Sequence, residues 1–197
     1  YLTRRHSHSA PSELWRTDLK SWKSEALLPG VSMAEYDLSA DLKQVVFSTH
    51  PDGRTSELWL APLDRSSQPR RIAPAGAASP QFGPDGQVLF QWMEGNAYYL
   101  ARVDKDGSGL SKVTAQPVGN ICGISPDRRW VVGFVMPPGS PRASSMAIPV
   151  EGGAPRRICE TPCPVAWAPD GRFLYIGIVA RSRTSAGICF AFPLDIR

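Results

Sequence analysis

Apolar residues along this chain come in short bursts separated by turn-forming clusters, with no stretch of sustained 3.6-residue spacing. The clearest bursts are Val45-Val46-Phe47, Val88-Leu89-Phe90, Trp130-Val131-Val132 and Phe173-Leu174-Tyr175. Three consecutive apolar positions in a run too short for a helix predict a strand whose two faces are both covered. Just before each burst stands an aspartate in a turn phrase: "YDLSADLKQVVF", "FGPDGQVLF", "ISPDRRWVV" and "WAPDGRFLY". In the Pro-Asp-Gly copies, proline presets the first turn angle, aspartate bonds its own nearby backbone, and glycine accepts a positive φ.

Aligned on Asp41, Asp85, Asp127 and Asp170, the phrases recur at intervals of 44, 42 and 43 residues. A fixed period of this size marks a repeated supersecondary unit. Each unit reads as four strands. The first ends at Tyr36, Phe82, Ile124 or Trp167, and the second is the apolar burst. The third is "ELWLAPLD" at 57–64, "YYLARVD" at 98–104, "SMAIPVE" at 145–151 or "CFAFPLD" at 189–195. The fourth is short and basic: "PRRIA" at 69–73, "LSKVT" at 110–114 and "PRRIC" at 155–159. A partial upstream copy is visible where "SELWRTDL" at 12–19 matches "SELWLAPL" at 56–63.

Four-stranded antiparallel units of this length, covered on both faces, are the blades of a β-propeller. The expected fold is therefore all-β, about four and a half blades, with segments of approximately 1–33, 34–77, 78–119, 120–163 and 164–197. Arg70, Arg71, Arg156 and Arg157 then fall on outermost strands, where charge discourages pairing with foreign strands.

The repeated phrase, with its aromatic-rich third strand ending in aspartate, resembles the Pro-Asp repeats of TolB-like, WD-repeat-like bacterial β-propellers. The likeness runs through essentially the whole chain. It departs where Ala40 stands for proline and Arg128 for glycine, changes expected to weaken those turns. Such propellers are usually six-bladed, so the resemblance implies a segment of a larger ring. Taken alone, the segment is expected to expose its end faces and self-associate.

Composition supports a folded core, with 42% apolar residues, 17 glycines and 19 prolines. The net charge of +4 is scattered in pairs rather than gathered into a stripe, which argues against nucleic-acid binding. No apolar run approaches the ~18 residues of a spanning helix, so no membrane insertion is expected within these residues.

Candidate chemistry is sparse. There is no nucleophile elbow, since Gly123-Ile124-Ser125-Pro126-Asp127 is the repeat turn, and no phosphate loop or zinc helix. Asp104-Lys105-Asp106-Gly107-Ser108-Gly109 copies the opening of a calcium loop, but Ala115 stands where a closing glutamate belongs, so a hairpin turn is the expectation. His6 and His8 share a face without a third ligand. No metal, cofactor or catalytic residue is assigned. Cys122, Cys159, Cys163 and Cys189 do not have zinc-site spacing. A local bridge between Cys159 and Cys163 is one reading, with ordinary buried thiols preferred.

The segments of variable length are those between second and third strands: 48–56, 93–97, 135–145 and 179–187. Length variation on a fixed frame is what a recognition surface shows. The candidate partner surface is the loop around Pro137, Pro138, Pro141 and Arg142. The resemblance implies a noncatalytic module for protein or ligand recognition, in a bacterial sensor, signalling or envelope protein, with an extracytoplasmic setting preferred. The alternative is the gating propeller of a prolyl-oligopeptidase-like hydrolase whose catalytic domain lies outside this chain.

Overall fold

The computed structural model describes residues 2–4, 12–137, 139–178 and 188–193, of which 2–4, 178 and 188–193 are described by backbone alone. Strands are numbered in chain order. The first sheet holds β1 (Leu2–Arg4), β2 (Glu13–Thr17) and β3 (Ser24–Ala26). The second holds β4 (Glu35–Leu38), β5 (Gln44–Thr49), β6 (Glu57–Pro62) and β7 (Arg70–Arg71). The third holds β8 (Ala77–Phe82), β9 (Val88–Glu94), β10 (Ala97–Val103) and β11 (Ser111–Lys112). The fourth holds β12 (Val118–Ile124), β13 (Trp130–Val135), β14 (Ser144–Pro149) and β15 (Arg156–Cys159), and the fifth β16 (Val165–Trp167), β17 (Phe173–Ile178) and β18 (Ile188–Pro193). In every sheet the strands lie side by side in chain order, the meander of a propeller blade. The one helical element among the described residues is a single 3-10 turn, Pro84–Gly86.

The chain divides into two compact units, one of residues 1–82, 86–93 and 102–111, the other of 83–85, 94–101 and 112–197. In the first, Leu14, Leu27, Met33, Val45, Phe47 and Ala61 are buried together between the first two sheets. In the second, Val132, Cys163, Leu174 and Ile176 form a buried cluster with Trp167 and Val165 against it. The second strands are buried at consecutive positions, as both-face coverage requires: Val45, Val46 and Phe47 in β5, Val88, Leu89 and Phe90 in β9.

The repeat turn is built in three ways. At Ala168-Pro169-Asp170-Gly171, Gly171 takes φ 70° and donates its amide to the Ala168 carbonyl at 2.9 Å, while Asp170 Oδ1 accepts the Arg172 amide at 3.0 Å. At Ser125-Pro126-Asp127-Arg128 the left-handed position is held by Arg128, φ 60°, and at Ser39-Ala40-Asp41-Leu42 by Leu42, φ 56°. There a buried serine does additional holding. Ser125 Oγ donates to Asp127 Oδ1 at 2.5 Å and accepts the Trp130 amide at 2.9 Å; Ser39 Oγ donates to Asp41 Oδ1 at 2.6 Å and accepts the Gln44 amide at 2.9 Å. Where glycine is missing, serine locks the backbone into the conformation that glycine would adopt freely. The Asp85 copy differs again, with Asp85 itself at φ 53° and Gly86 at φ 77°.

One expectation is corrected. Cys159 and Cys163 form a disulfide, with Cα atoms 6.5 Å apart, rather than remaining separate thiols. The link closes a short loop between β15 and β16, whose ends the edge strand and the Cys163 amide already bring together. That amide donates to Ser145 Oγ at 3.0 Å. Cys122 is the one free cysteine among those whose side chains are described.

Candidate recognition surface

The β13–β14 loop emerges from two well-anchored strands. Val135 pairs with Ser144, and the buried Ser144 Oγ donates to the Glu160 carbonyl at 3.1 Å, fixing the loop's exit. Within it, the Ser140 amide donates to the Pro137 carbonyl at 3.0 Å, and Gly139 takes the left-handed conformation that this turn requires, φ 74°. Ser140 Oγ donates to the Arg142 carbonyl at 2.8 Å and accepts the Arg142 amide at 3.2 Å. Pro137 and Pro141, with this serine bridge, restrict the backbone next to them. It presents Met136, 54% exposed, with exposed Pro141 and Arg142; Pro137 is half-buried. Pro138 lies outside the described residues, as does the loop 179–187.

The β5–β6 loop is also preorganised, here by a carboxylate that follows Pro51. Asp52 Oδ1 accepts the amides of Arg54 at 2.8 Å and Thr55 at 2.6 Å, and Gly53 closes the turn onto the His50 carbonyl at 3.1 Å. The Thr55 and Arg54 amides stabilise the charged form and hold the Asp52 carboxyl down at about 2.

The calcium-like stretch connects β10 to β11 as a turn. The Asp104 amide donates to the Ser108 carbonyl at 2.9 Å, and Asp106 Oδ1 accepts both the Ser108 amide, at 2.9 Å, and its hydroxyl, at 2.6 Å. Those bonds lower the Asp106 carboxyl below its usual range. Among the described residues, no three His, Cys, Asp or Glu side chains are grouped to hold a metal ion. His6 and His8 lie outside the described residues.

Two features escape the sequence reading. One is a pair of carboxylates on β4 that hold β8. Asp37 Oδ2 accepts the Phe82 amide at 2.8 Å, and Glu35 accepts the Ser79 amide at 2.7 Å and faces its hydroxyl at 3.1 Å. Ser79 sits in a bulge of β8 at φ 51°, a conformation that needs outside support. Nothing in "EYDL" announces this, because the partners lie more than forty residues away. The other is the β2–β3 hairpin, where Leu19 and Trp22 are each 75% exposed. Its signal in the sequence is the alternation of apolar residues and lysines in "DLKSWKS".

No protein-family model matches the chain, and no curated protein matches its sequence. Solved structures match its fold. TolB from Acinetobacter baumannii superposes with a TM-score of 0.72 at 18% identity over 94% of this chain and 47% of its own. Oligogalacturonate lyase from Vibrio parahaemolyticus gives 0.65 at 14% identity, over 88% of this chain and 55% of its own. The β-propeller domain of the Trilobed protease from Pyrococcus furiosus gives 0.64 at 14% identity, over 98% and 64%. The fold is thus a TolB-like β-propeller, and the chain spans about half the length of the Acinetobacter protein.

Proposed function

We propose that this propeller segment is a noncatalytic recognition module of a larger bacterial envelope or sensor protein, binding a protein or ligand partner through the loops that join second to third strands. The observation that carries this reading is the β13–β14 loop: its backbone is braced at Ser140 while Met136, Pro141 and Arg142 stand in solvent. A rigid exposed apolar-and-arginine surface loses little conformational entropy on binding. The Cys159–Cys163 disulfide supports an oxidising, extracytoplasmic location.

The test is to replace residues 137–142 with a short Gly-Ser turn in the full-length protein. Partners cross-linked to the native protein and identified by mass spectrometry should fall away from the variant, while its melting temperature stays close to the parent's. Undiminished cross-linking would reject the loop as the binding surface.

The alternative, a propeller that gates a hydrolase domain carried elsewhere, is favoured by one finding, the likeness to the propeller domain of a protease. Peptidase activity in the full-length protein, abolished by a serine-directed inhibitor, would select it.

A further inference from the structure

The β2–β3 hairpin displays its apolar residues at a conformational cost. Asp18 Oδ1 accepts the amides of Lys20 at 2.9 Å and Ser21 at 2.7 Å and the Ser21 hydroxyl at 2.9 Å. The Trp22 amide donates to the Asp18 carbonyl at 2.8 Å, and the Asp18 amide to the Lys23 carbonyl at 2.9 Å. So braced, Trp22 is held at φ 56°, in the left-handed region, with its ring 75% exposed beside the equally exposed Leu19. The turn between β4 and β5 repeats the device: Leu42, at φ 56°, is 52% exposed.

Each of these three residues is followed by an exposed lysine: Leu19-Lys20, Trp22-Lys23 and Leu42-Lys43. The two turns border one stretch of surface. Arg16 and Glu25, an ion pair, line both a hollow of about 760 Å³ under the hairpin and one of about 540 Å³ that reaches Leu42 and Lys43. The carboxylates nearby are engaged locally: Asp18 in its turn, Asp41 with Ser39 and the Lys43 amide, Asp64 with the Ser66 amide at 2.9 Å, Glu25 with Arg16. Lys20 and Lys23 have no ion-pair partner among the described residues.

We propose that this surface adsorbs to an anionic lipid bilayer, with Leu19, Trp22 and Leu42 entering the boundary between headgroups and acyl chains and the adjoining lysines meeting headgroup phosphates. An indole at the hydrocarbon edge and a lysine reaching back to the headgroups are each favoured positions at a membrane interface. Leu19 and Leu42 border separate hollows yet stay exposed, as does Trp22. The hollow that reaches Leu42 is lined by Arg16, Lys43 and Arg65 against Glu25 and Asp64, a balance that suits an anionic surface. Exposed side chains on two separate turns suit a broad anionic surface. Adsorption of three side chains needs no apolar run, so an expectation drawn from runs does not see it. The proposal stands apart from the β13–β14 loop.

The test is flotation of the native protein with phosphatidylcholine vesicles, with and without about 30 mol% phosphatidylglycerol, at low salt and at ~0.5 M NaCl. Binding should favour the anionic vesicles by roughly tenfold or more and fall in high salt. Leu19→Ser combined with Trp22→Asn should lose most of the binding at an unchanged melting temperature; asparagine tolerates the left-handed backbone. Lys20→Gln with Lys23→Gln should lose the difference between the two vesicle types. The 137–142 replacement should bind vesicles as the parent does. Equal binding to both vesicle types, absence of binding, or full binding by the Leu19/Trp22 variant would overturn the proposal. Binding of a Glu/Leu-rich probe peptide in place of vesicles would overturn it in favour of an acidic protein segment.

Discussion

The two compact units join neighbouring blades by different chemistry. In the first, β4 grips β8 through carboxylates: Asp37 takes the buried Phe82 amide, and Glu35 takes the amide and faces the hydroxyl of strained Ser79. In the second, the passage from β15 to β16 is held by the Cys159–Cys163 disulfide, the Cys163 amide on Ser145, and an apolar cluster around Val132, Leu174 and Ile176. The repeat thus specifies that blades pack face to face but leaves open what fastens one to the next. A charged hydrogen bond fixes register sharply and depends on both partners being present. A disulfide with an apolar cluster tolerates substitution in the cluster but depends on redox state.

That contrast can be broken from either side. The largest effect is expected from Asp37→Ala, which leaves the buried Phe82 amide without its acceptor and should cost about 2–3 kcal/mol in urea unfolding. Hydrogen exchange should rise in β4 and β8 and stay unchanged in β15 and β16; exchange rising equally in both units would show that the seams are not independent. Next comes removal of the disulfide by Cys159→Ser with Cys163→Ser, or by reductant. A loop this short gives about 2 kcal/mol in the chain-entropy account, with the loss concentrated at β15–β16. Insensitivity of those strands to reductant would remove the bridge from the comparison.

The smallest effect belongs to a carboxylate outside both seams. Asp52 has its pKa lowered from 3.8 to about 2 in the folded state, so its contribution is present above the unfolded value and is lost as pH falls from about 4 through about 2. Because Asp52 is exposed, the change should be confined to the 50–56 loop. It is readable as a carboxyl carbon titration by NMR, with the β4–β8 amides undisturbed. A midpoint near 4 would show that the Arg54 and Thr55 amides do not hold the carboxylate in solution.

Much of the architecture was legible along the chain. The even recurrence of Asp41, Asp85, Asp127 and Asp170 announces the sheets, because each copy needs the same turn between its first two strands. Triplets such as Val45-Val46-Phe47 announce coverage on both faces. The turn substitutions were harder to weigh. Arg128 and Ala40 read as weakening their copies, yet buried Ser125 and Ser39 supply bonds that the Ala168 copy lacks. The candidate loop was visible as a length variation; its bracing at Ser140 was not.

The sequence by itself determined the local events: where the chain turns, which residues form strands, and which strands need cover on both sides. These depend on neighbours a few positions apart, and the repeat states them four times. Only the tertiary structure decided which distant groups meet: Glu35 with Ser79, Asp37 with Phe82, Cys163 with Ser145, and the Leu42 turn beside the Leu19–Trp22 hairpin. Such meetings depend on the geometry with which one sheet lies against the next, and no spacing within a single repeat encodes it.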